Sequence, residues 1–289
     1  MKLSKFIFYL SFISYFLISC TNEIDIVDVA EFNEEKILLG QELAQGVASC
    51  GFCHGIAPSP TSPMAGGREF KDLYGSIYAS NITPSKTGIG SYTLTDFISA
   101  IRESKALDGR PISKDFHYGL RWASDHDLSA IFSYLMTQQP VKNEITKREI
   151  DFWQRNTLGL LESSQEVKGY VPQMRNKDQI KIGAYVVDHL ADCGRCHNSK
   201  AGFLSSSLYL GGGQNIYIDG NEIVAPSLVL ARDNGLKDWS KKQILDYLLT
   251  GKTKNGNLVN PSFCPVEFYQ NARIETLEAI SAYLESINQ

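Results

Sequence analysis

The chain of 289 residues is long enough for two ordinary domains, and 43% hydrophobic with 21% charged residues is the balance of a soluble globular protein. A formal net charge of −4 excludes the basic face that nucleic-acid binding needs. Each of the six cysteines needs an assignment, because the first residues read as an export signal.

Residues 1–20 carry Lys2 and Lys5, an apolar run from Phe6 to Ile18, and then Ser19-Cys20. That is the pattern of a signal for export, and the run is too short to span a bilayer comfortably as a mature helix. Leu17-Ile18-Ser19-Cys20 resembles a bacterial lipobox, which would make Cys20 a lipidated N-terminus held at a membrane surface. Ordinary cleavage near the same point is the alternative. Thr21, where an aspartate often marks inner-membrane retention, favours the outer membrane. Loss of Lys2 and Lys5 with the signal leaves 26 basic against 32 acidic residues, a net −6. Residues 21–33 are acidic, carry no helical stripe and read as a tether.

Residues 34–140 form the first expected domain. Glu34 to Ser49 has apolar residues at helical spacing and runs into Cys50-Gly51-Phe52-Cys53-His54. Thr93 is a natural N-cap for a helix beginning at Leu94, and Ser124 with Asp127 makes a capping signal for a helix holding Ile131, Tyr134 and Leu135. Residues 141–175 are polar, of low periodicity, and read as an interdomain linker with one short helix around Trp153 to Leu161.

Residues 176–289 repeat the first domain. Lys181 to Asp192 leads into Cys193-Gly194-Arg195-Cys196-His197, and Ser240 caps a helix as Thr93 does. Gly40 stands ten residues before Cys50 and Gly183 ten before Cys193. A glycine inside a helix costs about 1 kcal/mol, so two at one offset indicate close approach of another helix. Gly66-Gly67 has its counterpart in Gly211-Gly212-Gly213, and Tyr134-Leu135 in Tyr283-Leu284. The expected fold is all-α, two small helical domains in tandem.

Two thiols three residues apart lie about one helical turn apart, which suits bonding to two vinyl groups on one haem edge. A histidine directly after the second thiol can then bind the iron from beneath. C-x-x-C-H therefore reads as covalent attachment of c-type haem, against the alternatives of a zinc site or a disulfide pair. Two such motifs imply two haems, held by Cys50, Cys53, Cys193 and Cys196, with His54 and His197 on the irons.

Ala65-Gly66-Gly67-Arg68, Tyr74 to Tyr78, Asn81-Ile82-Thr83-Pro84 and Thr87 to Gly90 resemble the cytochrome c subunit of membrane-bound bacterial alcohol and gluconate dehydrogenases. Gly183-Ala184-Tyr185 and Trp239-Ser240 fit the same family, and the resemblance covers about residues 34–289. It implies tandem cytochrome c folds, each wrapped on one haem and exposed to the periplasm. It also implies electron passage from a dehydrogenase or quinol donor to an acceptor such as an oxidase or small cytochrome. The family has three haem domains where this chain has two, and it usually supplies a methionine as second axial ligand.

Of four methionines, Met1 is in the signal, Met64 and Met136 read as core, and Met174 is in the linker. His117 and Cys264 stand in the corresponding region, 17 residues before Tyr134 and 19 before Tyr283. Both residue types bind haem iron, and both lower its potential relative to methionine. The remaining histidines, His126 and His189, read as surface residues, with His189 a reserve ligand. No general base, nucleophile or metal-activated water accompanies the motifs, so an electron carrier is expected. The alternative is a dihaem enzyme, similar to thiosulfate dehydrogenases in its histidine and cysteine ligation, or a peroxidase with one open iron.

Overall fold

The computed structural model describes residues 32–158, 167–199, 207–229 and 235–288; the export signal, Cys20 and most of the tether lie outside them. Helix α1 (Glu34–Gln45) starts where the Asn33 side chain accepts the Lys36 N–H at 2.8 Å, and α2 (Cys50–His54) carries the first motif. A hairpin follows, β1 (Glu69–Asp72) and β2 (Gly75–Tyr78). Helix α3 (Leu94–Glu103) begins in a reciprocal capping box between Thr93 and Asp96. Helix α4 (Asp125–Met136) begins at Ser124, which accepts the Asp127 N–H. The expected short linker helix is α5 (Phe152–Thr157).

In the second half, α6 (Gln179–Tyr185) runs into a wide π turn, Val186–Leu190, just before α7 (Gly194–His197) with the second motif. Strands β3 (Asn215–Ile218) and β4 (Asn221–Val224) form another hairpin. Then come α8 (Lys241–Thr250), opened by a Ser240–Gln243 capping box, α9 (Val266–Tyr269) and α10 (Ile274–Ser286).

The paired glycines make the helix crossings. A methyl group on Gly40 would lie 1.8 Å from the Ala130 carbonyl oxygen and 2.9 Å from Tyr134 Cβ. On Gly183 it would lie 2.0 Å from the Ala279 oxygen and 2.7 Å from Tyr283 Cβ. So α1 meets α4, and α6 meets α10, backbone against backbone, as their common offset requires.

The all-α expectation is not met. The two hairpins join into one four-stranded antiparallel sheet in the order β2-β1-β3-β4, with Phe70 opposite Ile218 where the repeats meet. Four-residue strands are too short for a two-residue period to stand out beside the helices. One signal was nevertheless present: Asp219-Gly220, flanked by Ile216 and Ile223. Both turn residues have positive φ, 49° and 82°, the backbone that a tight two-residue hairpin turn demands.

The repeats share their interior. The main apolar cluster takes Leu43, Ile131 and Leu135 from the first and Val187, Ile244 and Leu277 from the second. A smaller cluster is Phe52, Phe70, Ile218 and Phe268, with Phe52 and Phe268 edge to face at 6.4 Å. Arg68, 5% exposed, donates to Asp219 at 2.8 Å and to the Phe52 carbonyl. Met64 is buried in the main cluster and Met136 packs against it, as their core reading expects.

Residues 141–148 and 169–171 bond to the first repeat. Asn81 donates to the Val141 carbonyl (2.8 Å), and Asn143 donates to that of Ala65 (2.9 Å). Buried Arg102 binds Asp125 at 2.7 Å and the Gly169 carbonyl at 2.7 Å. No helix among the described residues is long and apolar enough to cross a membrane.

Candidate haem centres

The residue before each motif turns the chain. Ser49 (φ 43°) and Asp192 (φ 45°) both take the left-handed conformation, so each C-x-x-C-H opens a fresh helical turn. Cys50, Cys53 and His54 line a cavity of about 810 Å³, within the range of cofactor pockets. His117 lines the same cavity.

The two imidazoles are nearly parallel, 3° between planes, with ring centres 6.1 Å apart. Two ring nitrogens each at about 2 Å from one metal would put the centres about 6 Å apart. His117 Nδ1 is buried without a hydrogen-bond partner, as in a ring whose partner is a bound group. The donor set, the cavity and this spacing all fit a haem between His54 and His117.

Each motif histidine is held alike. His54 Nδ1 lies 2.7 Å from the Ser80 carbonyl and His197 Nδ1 2.7 Å from that of Pro226. A donated Nδ1–H fixes the tautomer and leaves Nε2 with its lone pair for a metal. The His54 carbonyl accepts the Gly66 N–H (2.7 Å) and the His197 carbonyl accepts that of Gly212 (2.6 Å). Both glycines have positive φ, 74° and 65°, and a methyl on either would meet backbone at 2.4 Å. The repeated glycines therefore close the loop around each histidine, and Gly212 and Gly213 are the residues that answer Gly66 and Gly67.

Burial lowers the pKa of His54 and His197 and takes His117 down to about 3. The neutral ring so favoured is the metal-binding form. Burial also pushes Cys50 up to about 12, so its thiol is protonated.

The second site differs. Phe116 and Phe263 both pack against the small cluster shared by the repeats, so His117 and Cys264 follow equivalent anchors. Cys264 lies within electrostatic reach of Cys193 and Cys196, and its sulfur is 3.8 Å from the Tyr247 hydroxyl. Burial raises its pKa to about 11, so a thiolate there needs a positive partner. Among the described residues no imidazole faces His197 as His117 faces His54. Residues 200–206 and 230–234, beside this motif in sequence, lie outside the described set. His189 is only half-buried against Tyr185 and is not part of the cavity wall; His126 bonds to Asp127 near the surface.

Two residues escaped the sequence reading. Arg195, inside the second motif, and Asp192, before it, both line the first cavity. Nothing in spacing could place them there, because the approach of the two motifs is a tertiary contact between the repeats.

No known family model matches the chain. It is 32% identical over 83% of its length to the fructose dehydrogenase cytochrome subunit of Gluconobacter japonicus, covering 50% of that protein. It is 28% identical over 89% of its length to the cytochrome c subunit of the quinone alcohol dehydrogenase of Gluconobacter oxydans, covering 56%. A diheme cytochrome c-type protein of Cereibacter sphaeroides is 25% identical over 84% of the chain and 82% of itself. The chain spans about half the length of the two dehydrogenase subunits. Its homologues are thus cytochrome c subunits of sugar and alcohol dehydrogenases and a diheme cytochrome c, which supports an electron-transfer cytochrome.

Proposed function

We propose that the chain is an exported dihaem c-type cytochrome that carries electrons from a dehydrogenase or quinol donor to a downstream acceptor. The observation that carries this reading is the parallel pair His54 and His117 across a cavity walled by Cys50 and Cys53. In it, Cys50 and Cys53 hold the first haem and Cys193 and Cys196 the second, forming two tandem cytochrome c domains over residues 34–140 and 176–289. A haem so bound supplies one-electron exchange between ferric and ferrous iron. The protein's part is to fix orientation, exclude water and set the potential. His54 and His197 are the proximal ligands, oriented by Ser80 and Pro226. His117 closes the first iron and Cys264 the second.

Cys20 is lipidated in this reading and holds the protein on the periplasmic side of a bacterial membrane, with the outer membrane favoured by Thr21. The relatives' names support a dehydrogenase as the donor partner. The decisive experiment counts covalent haem on the purified exported protein. Two haems per chain, retained under denaturing conditions and falling to one in the Cys193→Ala, Cys196→Ala variant, is the expected result. Recovery of zinc, or two haems surviving that change, would overturn the reading.

A further inference from the structure

Arg195 sits between the two thiols of the second motif, yet its side chain reaches into the first cavity. Its Nη1 lies 3.5 Å from Cys53 Sγ, and its guanidinium carbon is 6.0 Å from the centre of the Phe116 ring. It shares the cavity wall with His54 and His117. A guanidinium keeps its charge at any working pH, and it prefers aromatic faces to open water more than an ammonium does.

The charge stands where the two motifs meet. The two second thiols, Cys53 and Cys196, are within electrostatic reach of each other as well. The motifs therefore approach at these thiols, with Arg195 acting on both. Asp192 is buried in the same cavity wall. Arg121, the other cation felt at His117, comes from the first repeat itself.

A positive charge beside a metal centre disfavours the oxidised, more positive state by Coulomb repulsion, and more strongly where water is scarce. We propose that Arg195 is the residue through which the second motif raises the reduction potential of the first haem. The inference rests on both motifs holding haem. With a thiolate from Cys264 lowering the second haem, Arg195 and Cys264 separate the two potentials from opposite sides. With haem at both motifs, one electron lost by a ferrous second iron would be gained by a ferric first iron, which would hold it at equilibrium.

The test uses the haem-loaded full chain with Arg195→Met and Arg195→Lys, titrated by spectroelectrochemistry. The first haem is identified as the one whose spectrum changes in His117→Met, and haem content is counted on denatured protein. The expected result is two haems in each variant. Arg195→Met should show about a tenfold shift of the first haem's equilibrium towards ferric, about 59 mV for one electron. Arg195→Lys should recover most of the loss. With two haems present, an unchanged first haem or a lysine variant as low as the methionine variant would overturn the proposal. Fewer than two haems in the unaltered protein would instead remove the haem reading beneath it.

Discussion

The two repeats are built alike up to the histidine and diverge beyond it. Both cross a helix pair at a glycine, turn through a left-handed residue, and lock the motif histidine between a backbone carbonyl and a glycine N–H. Across from that histidine the first repeat presents a neutral, buried imidazole, whereas at the equivalent chain position the second carries a thiol 3.8 Å from a tyrosine hydroxyl. In the proposed reading the shared part would hold a haem in place, and the divergent part would set its electronic character. If both motifs hold haem as proposed, a duplicated scaffold would provide two sites of unequal potential without a new fold.

The largest effect expected concerns what joins the halves. Phe268 is 1% exposed and meets Phe52 edge to face. Phe268→Ala should cost about 3–5 kcal/mol, seen as a lower urea midpoint. Two separate transitions in that variant would show that the repeats fold independently, and a single shifted one that they fold together.

Gly40→Val and Gly183→Val should each cost about 3 kcal/mol or more, because the new atoms meet carbonyls that cannot move. Equal losses would sharpen the equivalence of the crossings. A tolerated change at either would break it.

Cys264→Met tests the divergence itself. Replacing a thiolate by a neutral thioether should raise the second haem's potential by about 100 mV or more, roughly 2.3 kcal/mol for one electron. Low-spin thiolate signals in electron paramagnetic resonance should vanish. An unchanged spectrum would mean that Cys264 only packs, and carbon monoxide binding to the second haem would then mark an open, enzymatic iron.

The smallest effect lies in the strap over the first repeat, which pairs Lys147 with Asp108 at 3.0 Å. The Lys147 hydrogen bond lowers Asp108 to about 2 from an ordinary 3.8. A carboxyl depressed on folding stabilises the fold above its unfolded pKa, and that gain disappears as pH falls from about 4 towards 2. Both groups are largely exposed, so Lys147→Ala should cost under about 0.5 kcal/mol at neutral pH and nothing below pH 2.

What the sequence made legible was local or repeated. Gly40 and Gly183 could be paired by offset, Thr93, Ser124 and Ser240 by their capping chemistry, and the two motifs by their thiols. The hairpins were hidden because strands of four residues have no period to read, although Asp219-Gly220 marked one turn. The path of residues 141–148 depends on single contacts such as Asn143 to Ala65, which no pattern announces. Arg195 was invisible for another reason: its target, Cys53, lies 142 residues earlier and meets it only once the sheet has closed.

That closure has a consequence for biosynthesis. Arg68 and Asp219, which clasp the central strands, stand 151 residues apart. Until the second half has emerged, β1 is an open edge beside Phe52 and Phe70, with bare amide groups and apolar rings facing outward. Such an edge invites pairing with the wrong chain, and long-range pairings form slowly. The first half alone is therefore an adhesive intermediate, and a chain cut at the linker should be recovered as aggregate, whatever its haem content.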